Sequence, residues 1–125
     1  MEVLARQVLV EYYGCNQILL NDLAQVREIM MEAVRRSGAH IVTDVFHLFA
    51  PQGISGVIVI AESHVSIHTW PEFGYAAVDI FTCGMHVDPW TIQSYIADHF
   101  KSTSVSTVEL QRGLFPHSVK QISPP

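Results

Sequence analysis

Positive charge is scarce in this chain. Lys and Arg number 7 against 12 Asp and Glu, giving a formal charge of −5, and the basic residues form no cluster. Binding to nucleic acid or to an anionic membrane rests on basic patches, so this balance counts against both partners. Cysteine is scarce too: Cys15 and Cys83 are too few for a disulfide framework. A cytoplasmic location is expected, where a cysteine is more often packing or a reactive thiol than half of a bridge. No apolar stretch is long enough to span a bilayer, and no basic-then-apolar signal region opens the sequence. HExxH and Cys/His zinc spacings are missing, so no metal site is expected. Repeats, linkers and low-complexity segments are missing as well, which leaves one domain, residues 1–125.

Apolar residues, by contrast, are abundant. They make up 49% of the chain and charged residues only 15%, more apolar surface than a single copy of this length covers easily. A homodimer is the expected assembly.

Periodicity gives the elements. Residues 3–13 alternate and are rich in Val, Leu and Tyr, which predicts a strand ending at Gly14. Asn21 is the expected N-cap of a helix whose Leu23, Val26, Met30, Ala33 and Val34 keep helical spacing, with Gly38 as its stop. Strands are expected over 39–49, 54–62, 65–70 and 75–83, separated by turns at 51–53 and 71–74. Asp88 caps a second helix with Pro89 at its first position, running to about Phe100. A last strand covers 103–111, and the tail from Gly113 is expected to be loose. This succession of strands and helices predicts an α+β fold: a two-layer sandwich of a mainly antiparallel sheet with the helices on one face.

Reactive side chains crowd into residues 61–72. The apolar run 57–61 ends abruptly in Glu62, Ser63 and His64, and His68 and Glu72 follow. A hydroxyl is a weak nucleophile until a base takes its proton, so a serine among histidines suggests an activated nucleophile. Taken alone, the stretch also fits a polar turn with solvated histidines. On an extended strand His64, Ser66 and His68 would share one side.

Combined with Phe46-His47-Leu48-Phe49, Gly53-Ile54-Ser55-Gly56, Phe81-Thr82-Cys83-Gly84 and Asp88-Pro89-Trp90, this stretch resembles the bacterial and archaeal S-adenosylmethionine decarboxylases. The resemblance runs from about residue 4 to residue 113. It implies a pyruvoyl-dependent lyase of polyamine synthesis, made as a proenzyme that cuts itself between Glu62 and Ser63 into chains 1–62 and 63–125. By resemblance Ser63 becomes the pyruvoyl group, His68 takes its α-proton, and Ser55 assists processing. A Schiff base with the substrate amine then drains electrons from the breaking bond, as pyridoxal phosphate does elsewhere. Cys83 matches the proton donor, Phe49 the residue that stacks on adenine, and Glu72 the one that binds the ribose hydroxyls. Departures lie elsewhere: Ala5 and Gln7 flank Arg6 where many relatives carry Gly and His, and Leu48 stands where a basic residue is frequent.

Each residue also has a plainer reading. Ser55 suits a Gly-flanked strand start, Phe49 a core position, Glu72 a solvated turn and Cys83 a small buried hydrophobe. His40, His47, His86, His99 and His117 read as surface or hydrogen-bonded core residues. Three other functions stay open: a metal site of Glu62, His64 and His68; a non-enzymatic binding module; and a pyruvoyl decarboxylase of a plain amino acid such as ornithine or arginine.

Overall fold

Alternation of apolar and polar side chains builds the sheet, because successive residues of a strand face opposite ways. A computed structural model describes residues 2–84 and 86–115. In chain order the elements are β1 (Glu2–Tyr13), α1 (Leu23–Arg36), β2 (Ile41–Leu48), β3 (Ile54–Ile60), β4 (Ser63–Trp70), β5 (Tyr75–Cys83), α2 (Pro89–His99) and β6 (Ser104–Phe115). The strands form one sheet in the order β2-β3-β4-β5-β1-β6. Each neighbouring pair is antiparallel.

One face of that sheet is dry. Val8, Val10 and Tyr12 of β1, Ile58 and Ile60 of β3, Val65 and Ile67 of β4 and Val78 and Ile80 of β5 join Val26, Met30 and Val34 of α1 and Ile92 and Ile96 of α2 in a single core. Burying each side chain of this size is worth roughly 1.5–3 kcal/mol, so the two helices are held to this face. Among the described residues the other face carries no helix, and Val45, Val59, Val108 and Leu110 stand exposed there. This is the expected α+β sandwich.

Local differences from expectation have identifiable causes. The cap of α1 is Asp22, whose carboxylate accepts the Gln25 N–H at 3.0 Å. Asn21 instead closes a 3-10 turn over Leu19–Asn21, and its side-chain oxygen accepts the Gly53 N–H at 2.9 Å. That bond ties the start of α1 to the turn before β3. Asp88 caps α2 as expected, accepting from Trp90 N–H, and Phe100 is the C-cap. The strand β6 does not stop at Gln111: it pairs with β1 as far as Phe115. Gly113 breaks nothing because it adopts φ +65° within the strand, where a side chain would collide with Leu4. The rest of the expected loose tail, 116–125, lies outside the described residues.

Among the described residues no helix is long and apolar enough to cross a membrane. His40, His47, His86 and His99 are all exposed, while His117 lies outside the described residues.

Candidate active site

Ile60 pairs with Ser63, so only Ala61 and Glu62 connect β3 to β4. A two-residue hairpin loop usually needs glycine or asparagine, because its backbone enters the left-handed region. Here Glu62 takes that conformation, at φ +65°. Left-handed backbone costs a residue with a Cβ roughly 1–2 kcal/mol, so the peptide before Ser63 follows a strained residue. On the other side of that peptide, the Ser63 hydroxyl accepts a hydrogen bond from the Cys83 N–H at 2.9 Å. Cys83 is the last residue of β5, and its thiol is half-buried and free. Cys15, the other cysteine, is buried packing, and that burial raises its thiol above the ordinary pKa.

A second group of candidates gathers at the far end of β4. Ser55 and His68 face each other across β3 and β4, with Ser55 Oγ 2.7 Å from His68 Nδ1. Phe49, Trp70 and Glu72 join them around a hollow of about 340 Å³. The turn that carries Phe49 is pinned by its N–H donating to the Gly53 carbonyl at 2.8 Å. The imidazole of His47 meets the Phe49 ring edge-on at 4.6 Å, and about half of Phe49 is exposed. Beneath, the buried Thr69 hydroxyl accepts the Ile54 N–H and donates to the Leu20 carbonyl, both at 2.9 Å. It locks the strand ends that present His68 and Trp70.

Sequence reasoning assigned no role to Trp70. Its ring packs 5.2 Å from Tyr75, which stacks on Tyr13, so an aromatic row continues from the hollow across the helix-free face. The alternation of β4 puts Trp70 on the side of His64, Ser66 and His68, and that spacing was the signal available. Burial, reinforced by a hydrogen bond to the Glu11 carboxylate, pushes the Tyr75 phenol above its ordinary pKa. The ring of His64 lies flat on Phe81, with centroids 5.4 Å apart.

The two groups do not meet within one copy. Five residues separate Ser63 from His68 on one strand, roughly 16 Å at 3.3 Å per residue, and an odd spacing turns their side chains to opposite faces. Glu62, Ser63 and Cys83 are together; Ser55, His68, Phe49 and Glu72 are together elsewhere. Among the described residues no three His, Cys, Asp or Glu side chains are placed to share a metal ion, and Glu62, His64 and His68 do not converge.

Comparison with known proteins bears on both ends. The family model described as S-adenosylmethionine decarboxylase matches residues 6–113. The S-adenosylmethionine decarboxylase proenzyme of Moorella thermoacetica is 53% identical over 114 residues, 91% of each chain. That of Caldicellulosiruptor saccharolyticus is 49% identical over 120 residues, 96% of this chain and 97% of the other. The crystal structure of the adenosylmethionine decarboxylase from Aquifex aeolicus superposes with a TM-score of 0.85 at 29% identity, covering 97% of this chain and all of that one. The matches run from β1 into β6 and take in both ends of β4, and on them this chain belongs to the S-adenosylmethionine decarboxylase family.

Proposed function

We propose that this chain cuts itself between Glu62 and Ser63 and then, as a carboxy-lyase, removes the carboxyl group of S-adenosylmethionine to give an aminopropyl donor for polyamine synthesis. The observation that carries the reading is the junction of β3 and β4: a left-handed Glu62 and a Ser63 hydroxyl fixed by the Cys83 N–H. The hydroxyl attacks the Glu62 carbonyl carbon, the amide C–N bond breaks, and an ester joins the two residues. A base then takes the α-proton of Ser63, the C–O bond breaks, and Glu62 leaves as a carboxylate. The dehydroalanine left behind takes up water and loses ammonia, leaving a ketone at residue 63. The residues fit such a group: the serine hydroxyl that must react is held, and the peptide that must break follows a left-handed residue. A pyruvoyl group supplies a carbonyl that condenses with the substrate amine and draws off the electrons of the breaking carboxyl bond.

His68 suits the role of base, since an imidazole nitrogen can take up a proton, and Ser55 orients its ring through Nδ1. Because roughly 16 Å separates His68 from Ser63 in one copy, the site is completed by a second copy. Two copies stacked antiparallel over the helix-free faces would cover the exposed Val45, Val59, Val108 and Leu110. They would also lay the His68 end of each β4 over the Ser63 end of the other. The Ser63 side chain lies on the helix side of β4, so its α-hydrogen leaves from the other side, towards an imidazole arriving from the second copy. Cys83, also on the helix-free face, then returns a proton from its thiol to the substrate carbon. Phe49 stacks on the adenine, and Glu72 accepts the ribose hydroxyls.

Two measurements test this. Purified protein should run on a denaturing gel as chains 1–62 and 63–125, the second blocked to amine-reactive sequencing; an intact, inactive chain with an ordinary Ser63 would defeat the reading. Carbon dioxide release should favour S-adenosylmethionine over ornithine, arginine or lysine by several orders of magnitude, because only the nucleoside can engage Phe49 and Glu72. A preference for a plain amino acid would overturn the substrate; the relatives give that alternative no support.

A further inference from the structure

Beside the Ser63 end of the sheet lies a hollow that none of these steps uses. It measures about 360 Å³ and is lined by Arg6, Thr82, Gly84 and Gln111, with Val3 and Leu4. Strand register explains the grouping. Arg6 pairs with Thr82 on one side and Gln111 on the other, and the pair His64–Phe81 places Ser63 next to Thr82. Ser63, Thr82, Arg6 and Gln111 therefore form a row across the helix-side face of the sheet.

Two members of that row lack adequate partners. Thr82 is 1% exposed, and its Oγ1 has no hydrogen-bond partner among the described residues. A buried hydroxyl is rarely left so, because the unmade bond is costly. Among the described residues Arg6 meets one acidic partner, Glu109, at 3.4 Å, with both side chains about 40% exposed. Such a loose surface pair leaves most of the five guanidinium N–H donors unused. Arg6 is also the one cation on this part of the face among the described residues. Arg27, Arg35 and Arg36 sit on α1, and Arg112, on the opposite face, donates to Gln7. A guanidinium and a hydroxyl turned to one hollow make a site for a carboxylate.

We infer that this hollow receives the α-carboxylate of Glu62 that the cut creates, with Arg6 and Thr82 as its donors. The inference rests on the self-cleavage reading of Ser63. Before the cut, residue 62 is an amide held in the left-handed hairpin loop. Afterwards it is a free chain end with a new negative charge, two strands from Arg6, roughly 10 Å at 4.8 Å per strand, a gap that a long arginine side chain and a relaxing loop can close. Docking there draws the severed end off the ketone at residue 63 and leaves that carbon open to the substrate amine. Arg6 and Thr82 act as positioning residues after the cut, not in it.

Carboxypeptidase digestion of the native, fully cut protein tests this, with loss of Glu62 followed by the mass of the 1–62 chain. Wild type should lose Glu62 at least tenfold more slowly than Arg6→Gln, with Arg6→Lys between them. Thr82→Val, which keeps the side-chain shape, should speed the loss several-fold. All three variants should cut themselves at the wild-type rate. Equal digestion of wild type and Arg6→Gln would overturn the inference. So would slowed self-cleavage in both Arg6→Gln and Thr82→Val, or a protected Glu62 in Arg6→Gln together with a raised KM for S-adenosylmethionine, which would give the hollow to the substrate. A wild type that never cuts would remove the inference along with the reading beneath it, whereas a cut chain with a freely digested end removes the inference alone.

Discussion

The two ends of β4 are built in different ways. At the Ser63 end the main chain makes the key contacts: a backbone N–H fixes the hydroxyl and a left-handed residue shapes the peptide. At the His68 end side chains make them: a Ser–His hydrogen bond, half-exposed aromatic rings and a carboxylate around an open hollow. Backbone contacts hold one geometry, as a reaction on the chain itself requires. Mobile side chains on an open rim suit a ligand that must enter and leave. The strand between them keeps the Ser63 end and the His68 end at a set distance.

The largest expected effect comes from mixing the two ends. Ser63→Ala and His68→Ala should each be inactive alone, the first wholly uncut. Co-expressed, they should regain about a quarter of wild-type activity, because half of the twofold dimers are mixed and each mixed dimer holds one complete site of two. No recovery in confirmed mixed dimers would place both ends in one copy. Next, His68→Ala should stall after the ester forms, and hydroxylamine, which attacks the ester directly, should release chain 1–62. A stalled protein that hydroxylamine leaves whole would show that His68 acts earlier.

Smaller effects belong to binding. Phe49→Ala should lower kcat/KM for S-adenosylmethionine by roughly 5- to 150-fold, the equivalent of 1–3 kcal/mol of stacking. Glu72→Gln should give a comparable loss, and neither should slow the cut. Slowed cutting in either would mean that the His68 end shapes the junction as well as the ligand. The smallest effect lies away from both ends. Hydrogen bonding to Arg27 holds the Asp44 carboxyl below the ordinary carboxylate range. A depressed carboxyl adds stability above its unfolded value of about 3.9 and loses it as pH falls through the lower folded value. Asp44→Asn should therefore lower the urea midpoint slightly near neutrality and converge with wild type in acid, while turnover stays unchanged.

Much of this was legible in the sequence, and the misses have physical causes. The bounds of β5 and the Asp88–Pro89 start of α2 follow from turn residues and a cap whose partners are close in sequence. Asn21 and Asp22 are both good caps; Asn21 is diverted by Gly53, 32 residues away, a contact no local pattern contains. The continuation of β6 past Gly113 depends on a glycine fitted against Leu4 of another strand. The candidate site residues are recognisable as motifs, but their separation is not. A strand read as starting at residue 65 leaves Ser63 free to fold back towards His68, whereas Ile60–Ser63 pairing draws Ser63 into β4 and extends the gap. Thr82 lies in one of the motifs and Arg6 beside two departures from the family pattern, but nothing in the sequence assigns either a role, since only register puts them in one row.

The order of strands also decides what a break at residue 62 does to the molecule. Residues 1–62 supply β1, β2 and β3, and residues 63–125 supply β4, β5 and β6, but the sheet runs β2-β3-β4-β5-β1-β6. The first piece thus threads its leading strand between β5 and β6 of the second, and the pieces share three of the five strand seams. They are interleaved like the fingers of two hands. Losing one covalent link leaves a molecule that dilution does not separate, because the halves can part only by opening all three shared seams.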